Sequence, residues 1–208
     1  MNTARKSQLR RSLRERRQQL SSAQQHLAAQ ALCKRLIQLP QYRKARHIAA
    51  YSANDGEISP ALLLRMAGLQ GRQCYLPRID FGSGQKSMEF RRYHHRQTLH
   101  DNRYGIGEPM GLRHCRRAAE KLDIVLLPLA GFDRMGRRLG MGGGFYDRAF
   151  AFKKHRKGQR PLLIGIAHHC QQLDELPSEQ WDVPLDLIVT DKAIIIPRGN
   201  AGKRNNSA

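Results

Sequence analysis

The run "LDIVLLPLAGF" at residues 122–132 is apolar at successive positions, not at alternate ones. A strand of that kind must be covered on both faces, as parallel sheets cover their strands with helices. "PLLIGIAHH" (161–169) and "LDLIVTD" (185–191) read the same way, and "HIAAYS" (47–52) is a shorter version. Between them lie segments with helical spacing: a basic one at 4–20 with Leu9, Leu13 and Leu20, and one at 22–38 that stops near Pro40. Ser21 or Ser22 is a suitable N-cap for the second. "SPALLLRMAG" (59–68) is expected to be a helix capped by Ser59 with Pro60 at its first position, and "FYDRAFAFKKH" (145–155) another. "QCYLPRI", "MEFRRY" and "KAIIIP" are short strand candidates, with "DFGSGQKS" a turn-rich connector. This alternation predicts a three-layer α/β fold, a mainly parallel central sheet flanked by helices in a single domain. The domain is expected to span residues 1–198, and the polar stretch 199–208 to be a disordered tail.

Behind the first apolar run comes "GFDRMGRRLGMGGGFYDR" (131–148), with six glycines and four arginines in eighteen residues. Glycine is entropically costly, so crowding it implies a backbone that something must approach closely. A loop after a buried strand and before a helix is where open α/β sheets gather ligands. Amides without side chains in the way can wrap a phosphate, and Arg137 and Arg138 can add charge-assisted hydrogen bonds. No Lys-Ser or Lys-Thr follows the glycines, which excludes a Walker loop, and Phe145 stands where a dinucleotide fingerprint needs its last small residue. Asp147 beside bound phosphates calls for a bridging cation, most often Mg2+. A second carboxylate can come from Asp182 or Asp186, just before the "LIVT" strand.

The chain of 208 residues carries a formal net charge of +20, and twelve Lys or Arg precede Asp55 against one acid, Glu15. Such asymmetry predicts an anionic partner without naming it. Most of the charge on residues 4–20 is expected to be a solvated face. Aromatic residues are 6% and no recognition motif accompanies the basic segments, which argues against a nucleic-acid module. An enzyme of sugar phosphates stays open on fold alone. Cys33, Cys74, Cys115 and Cys170 are scattered, the pattern of free thiols in a reducing cytoplasm. "HHC" (168–170) is read as structural, since neighbours on a strand face opposite ways. No stretch is apolar enough to span a membrane, and the basic start lacks a signal-peptide core.

Four blocks carry a resemblance. "LAGFDRMGRRLGMGGGFYDR", with "KSQLRRSLRERR" (6–17), "YGIGEP" (104–109) and "WDVPLDLIVT" (181–190), resembles in order and spacing the 5-formyltetrahydrofolate cyclo-ligase family. Met141 departs from the pattern, where many members carry Arg. The resemblance implies conversion of 5-formyltetrahydrofolate and ATP, with Mg2+, to 5,10-methenyltetrahydrofolate, ADP and phosphate. It implies ATP contacts at Lys6, Ser7, Gln8, Leu9 and Arg10, with Arg14 a weaker addition. The ATP loop would be Arg138, Leu139, Gly140, Met141, Gly142, Gly143, Gly144, Phe145 and Tyr146. The stretch from Met141 to Phe145 would also border the folate, together with Ser52, Glu57 and Tyr104. Asp147 and Asp182 would hold Mg2+, and Arg138, Tyr146 and Asp147 would be catalytic. Expected partners are therefore small molecules, polyglutamated folate and ATP, with no specific nucleic acid and no membrane. A cytoplasmic monomer is expected.

Overall fold

Ile124, Val125, Leu126 and Leu127 of strand β7 (Ile124–Pro128) are all buried, as a doubly covered strand must be. The computed structural model describes residues 3–82, 87–110, 115–154, 160–177, 179 and 182–197. Connector residues 83–86, His155, Trp181 and the tail at 199–208 lie outside them. β7 sits between β1 (His47–Ala49) and β10 (Leu162–Ala167), parallel to both, with Ile124 opposite Ile48 on one side and Leu162 on the other. β2 (Gln73–Asp80) extends the parallel pairing beyond β1, and β11 (Leu187–Thr190) beyond β10.

Both edges are antiparallel. β12 (Ile194–Ile195) flanks β11, while β3 (Ser87–Tyr93) and β6 (Arg116–Arg117) lie beyond β2. The order is β12-β11-β10-β7-β1-β2-β3-β6. The parallel centre agrees with the apolar runs, and the arms follow from connector length. The six residues between β2 and β3 are too few for a parallel crossover. One sheet thus gathers strands from residue 47 to residue 195, and the described residues build a single α/β domain.

Helix α1 is Thr3–Gln18 and α2 is Ser22–Gln38. Ser21 caps α2 in a capping box, its hydroxyl accepting from the Gln24 amide while its own amide donates to the Gln24 side chain. Pro40 starts a further short helix, α3 (Pro40–Lys44), because proline suits a first turn. α4 (Ala61–Leu69) begins one residue later than expected: Pro60 takes the cap position, and the Ser59 hydroxyl accepts from the Ala61 amide at 3.3 Å. Leu32, Leu36, Leu63 and Leu64 of α2 and α4 cover one face of the sheet. The other face is covered by α5 (Phe145–Ala149) and a 3-10 turn (Ala151–Lys154), not by one long helix. Between them Phe150 is fully buried and packs on Phe90 at 5.8 Å.

Two hairpins were not legible in the sequence: β4 (Leu99–Asp101) with β5 (Gly107–Pro109), and β8 (Gly131–Phe132) with β9 (Arg138–Leu139). The second lies inside the glycine-rich motif. α1 docks on it through a third cluster, Leu13 with Ala130, Leu139 and Leu176. Leu13 fills the space that Gly131 leaves, for a methyl group on Gly131 would stand 2.5 Å from Leu13 Cδ1. Gly131→Ala is expected to cost about 1–3 kcal/mol, the range for overpacking a filled site. The check is a lower urea midpoint at unchanged m; an unchanged midpoint would mean that α1 is not seated there.

Candidate active site

The chain runs from β1 to β2 on one side of the sheet and from β7 to β10 and β11 on the other. β1 and β7 therefore form a topological switch point, and the loops leaving their carboxyl ends diverge around a crevice. The loop after β1 carries Ser52, Asp55 and Glu57, and the loop after β7 is the glycine motif. α1 lies against both. Along one stripe of it, Lys6 Nζ donates to Glu179 Oε1 at 2.8 Å, and Arg10 Nε to the Gly140 carbonyl at 2.8 Å. Below them Leu13 is buried, and Arg17 Nε donates to the Asp55 carbonyl at 2.8 Å. Ser7 and Gln8 are exposed and Leu9 packs on the Leu13 cluster. Their amides lie beyond the helix's first turn and belong to its ladder, so this segment offers side chains and not backbone donors. Arg14 is spent elsewhere, with Nε donating to Asp55 Oδ2 at 2.7 Å.

The glycine motif divides in two. Its first half is the β8–β9 hairpin, organised by the fully buried Asp133. Asp133 Oδ1 accepts from the amides of Met135 (2.9 Å) and Arg137 (3.0 Å), and Oδ2 from that of Leu176 (2.9 Å). Arg137 pairs with Asp133 and Glu175, both at 2.9 Å, so it serves the hairpin rather than a phosphate. The second half, residues 140–144, is the open part. Gly142 has φ +99°, and a Cβ there would lie 3.6 Å from the Arg10 guanidinium carbon, so Arg10 lies directly against this backbone. Gly144, at φ +62°, turns the chain into α5, and Arg148 holds the turn by donating to the Gly143 carbonyl at 2.9 Å. Met141 is exposed, Leu139 is core, and Phe145 is half-buried under the Arg148 guanidinium. Because α5 has only five residues, free amides and cations, not a long helix dipole, give this loop its positive character.

Arg138 bonds Asp147, while its Nη1 is buried without a hydrogen-bond partner. An orphaned guanidinium nitrogen is costly unless a ligand accepts from it. Asp147 Oδ1 also accepts from the Val183 amide at 3.1 Å, which draws the neighbouring Asp182 toward this corner. Asp182 Oδ2 accepts from the Glu179 amide at 2.8 Å, and Glu179 holds Lys6. Asp186, the other sequence candidate, is structural: it accepts from the Leu163 amide at 2.8 Å and from Lys153 at 3.3 Å. Among the described residues no three His, Cys, Asp or Glu are grouped to hold a metal unaided. Two hard carboxylates on adjoining segments do fit Mg2+ that completes its octahedron with phosphate oxygens and water.

On the other side of the crevice, burial pushes the Glu57 carboxyl above its ordinary range, against the opposing charge of Arg17. The Tyr146 hydroxyl is also pushed up, by burial first and by the charge of Glu57 second, which places both in one electrostatic neighbourhood. Ser52 lies beside Gly107, at 3.5 Å from where a Cβ on it would be, so the β4–β5 hairpin closes over this loop. Tyr104, at the turn of that hairpin, is half-exposed and packs on Phe81 at 5.7 Å. Sequence reasoning missed Arg17, Asp55 and Glu179. For Arg17 a signal existed, since positions 6, 10, 13 and 17 share one helical stripe. Asp55 and Glu179 lie in irregular loops and carried none. The "HHC" segment is not strand, contrary to the expectation from sequence: β10 ends at Ala167 and His169–Gln171 is a 3-10 turn, with His168 buried and the His169 amide donating to Asp191 at 2.6 Å.

Among the described residues no helix is long and apolar enough to cross a membrane. A groove lined by Arg43, Lys44, Arg46, His47 and Arg72 opens at the amino ends of β1 and β2, opposite the loop cluster.

A sequence model described as the 5-formyltetrahydrofolate cyclo-ligase family matches residues 2–191. The chain is 37% identical over 190 residues to a Haemophilus influenzae protein named 5-formyltetrahydrofolate cyclo-ligase, covering 91% of this chain and 100% of that one. It is 36% identical over 183 residues to the protein of that name from Escherichia coli strain K12, covering 88% and 98%. Among solved structures, the 5,10-methenyltetrahydrofolate synthetase of Aquifex aeolicus superposes with a TM-score of 0.77 at 28% identity, over 98% of this chain and 95% of that one.

The raised Glu57 carboxyl has a consequence for stability. A folded-state value above the ordinary 4.5 means that the folded protein binds the proton more tightly than the unfolded chain. Stability from this group is then full below the ordinary value and falls as pH rises through the folded one. Glu57→Gln is expected to raise the urea midpoint at neutral pH, with the gain vanishing at pH values below 4.5. A gain that is the same at both pH values would rule out ionisation as its cause.

Proposed function

The chain belongs to the 5-formyltetrahydrofolate cyclo-ligase family, and from that premise we propose that it closes 5-formyltetrahydrofolate to 5,10-methenyltetrahydrofolate at the expense of ATP. The observation that carries the site assignment is Arg10 on the Gly140 carbonyl, which joins the basic amino-terminal helix to a loop 130 residues away. In this reading residues 1–198 are the catalytic unit. The net charge of +20 suits folates that carry several glutamates.

The formyl group is an amide, a poor electrophile whose oxygen leaves badly. Transfer of the γ-phosphoryl group to that oxygen breaks the bond to ADP and turns the oxygen into a phosphate leaving group. N10 then bonds to the formyl carbon, the carbon–oxygen bond breaks, the N10 proton is released and phosphate departs. Such chemistry asks a protein mainly for positioning and charge neutralisation. Lys6, Arg10 and Arg138 supply cations, and residues 140–144 supply backbone amides at a distance that side chains would prevent. Asp147 and Asp182 are the residues that would hold Mg2+, whose charge when bound offsets that of the phosphate oxygens. Glu57 accepts hydrogen bonds from the pterin ring, and Tyr146 lies between the two halves.

These charges pair with one another: Lys6 with Glu179 and Arg138 with Asp147. Phosphate oxygens would accept from Lys6 and Arg138, and Asp147 would be free to hold Mg2+, so that no charge of either set need be left buried and unpaired.

The activity test is incubation with 5-formyltetrahydrofolate, ATP and Mg2+, with the near-ultraviolet absorbance of the methenyl product as readout. No absorbance from folded protein would overturn the assignment. Asp147→Asn is expected to lower kcat about 100-fold or more, the scale for losing a group that acts on transition-state charge, with the variant still folded at the assay temperature although its thermal midpoint falls, because Arg138 loses its counter-charge. Lys6→Ala is expected to raise the KM for ATP about tenfold, the value of one charge-assisted hydrogen bond, and that for folate much less.

A further inference from the structure

Arg17 is only 1% exposed, the most deeply buried cation among the described residues. Burying a guanidinium costs several kcal/mol unless partners compensate it, so its surroundings should explain why it is there. Its side-chain hydrogen-bond and ion-pair partners belong to the loop after β1, with His168 nearby. Nε donates to the Asp55 carbonyl at 2.8 Å and Nη2 to Asp55 Oδ2 at 2.9 Å. Nη1 makes no hydrogen bond and stands 3.7 Å from Glu57 Oε1.

Asp55 holds the left-handed conformation, φ +53°, which is unfavourable for a residue with a side chain. Three side chains of α1 pin it there: Arg14, Arg17 and Gln18. Glu57 follows two residues later, its Oε2 accepting from the Asn54 amide at 3.2 Å. The charged and titratable groups facing it are Arg14 and Arg17 from α1, Asp55 from its own turn, Tyr51 from the segment after β1 and Tyr146 from α5. The stripe of α1 that ends at Arg17 begins with Lys6 and Arg10 at the glycine loop, and Leu13 anchors it midway.

We infer that Arg17 is a positioning residue that couples the two half-sites: by fixing the Asp55 turn and Glu57 to the helix face that carries Lys6 and Arg10, it makes binding of nucleotide and binding of reduced pterin mutually favourable. The inference rests on the proposed reading of Glu57 as the pterin ligand and of Lys6 and Arg10 as nucleotide contacts. Nucleotide that immobilises α1 from its amino-terminal half also immobilises the turn at its other end, so the pterin meets a site already ordered. By linkage the effect is reciprocal.

The experiment titrates 5-formyltetrahydrofolate into the full chain with and without a saturating non-hydrolysable ATP analogue and Mg2+, alongside steady-state kinetics. For the unaltered chain the analogue is expected to tighten folate binding about tenfold, within the usual span of coupling between sites. Arg17→Met is expected to bring the coupling below about twofold and raise the folate KM about tenfold, with the KM for ATP within about twofold. Arg17→Lys, which keeps the charge but not the forked geometry, should restore part of it. Asp55→Asn, a milder change at a partly exposed side chain, should weaken the coupling in the same direction and serves if Arg17→Met does not fold.

Absent coupling in the unaltered chain, or full coupling retained in Arg17→Met or, where that variant does not fold, in Asp55→Asn, overturns the inference. So does a change in the folate and ATP KM values by the same factor. Glu57→Gln separates the two readings. Unchanged folate affinity there overturns the pterin assignment of Glu57 and the inference with it. Weakened affinity there, with coupling intact in Arg17→Met, overturns the inference alone.

Discussion

The seat of Leu13 against Gly131 is the contact on which the rest of the site depends. α1 carries seven Lys or Arg and one acid, with no acid in its first turn to favour the helix dipole. Lys6, Arg10 and Arg14 follow one another at four-residue intervals, so like charges face each other along the helix. An isolated segment of this sequence would be a poor helix. It is a helix in the protein because Leu9 and Leu13 bury against the β8–β9 hairpin, and because Glu179, Asp55 and the Gly140 carbonyl accept from its cations. The apolar seat supplies affinity, and the acceptors fix the rotation of the helix about its axis.

The sheet was legible where one rule decided it. Residues 124–127, apolar at every position, can only be a doubly covered strand, and they are. The antiparallel arms needed a second consideration, the six-residue link between β2 and β3, which forbids a crossover. The β8–β9 hairpin was hidden because its glycines and arginines resemble those of the open loop that follows. Its organiser is a buried aspartate, Asp133, whose hydrogen-bond partners include Leu176, 43 residues away. No local pattern announces a contact of that range. The same applies to Arg137, which sits beside Arg138 in sequence but points its charge at Asp133 and Glu175.

Charge was the feature that sequence alone ranked least well. A basic amphipathic segment reads as a solvated face, and Arg11 and Arg16 are indeed exposed. Arg17, one residue past Arg16, is almost fully buried. The distinction is rotational: a step of one residue turns about 100° around a helix, enough to carry a cation from water into the crevice. Composition cannot see that turn, but the stripe 6, 10, 13, 17 can. Glu57 was recognisable by resemblance; that its carboxyl is raised by burial and opposed by Arg17 required the three-dimensional arrangement.

A parallel sheet sends its loops out from one end, and at a switch point the loops on either side diverge. The divergence leaves the two walls of the crevice without a covalent link nearby. β1 ends at residue 49 and β7 at residue 128, and the loops that leave them belong to distant parts of the chain. Something outside the sheet has to hold the walls in register, because a reaction between groups held on separate walls loses much of its rate when the reacting atoms are misplaced by about 1 Å. α1 lies across the opening and touches the loop after β7 through Arg10 and the loop after β1 through Arg17. A helix is stiff along its axis, and between these contacts only six residues intervene, a separation of roughly 10 Å at 1.5 Å of rise per residue. The amino-terminal helix thus sets the spacing of the two walls, which a longer or looser connection could not do.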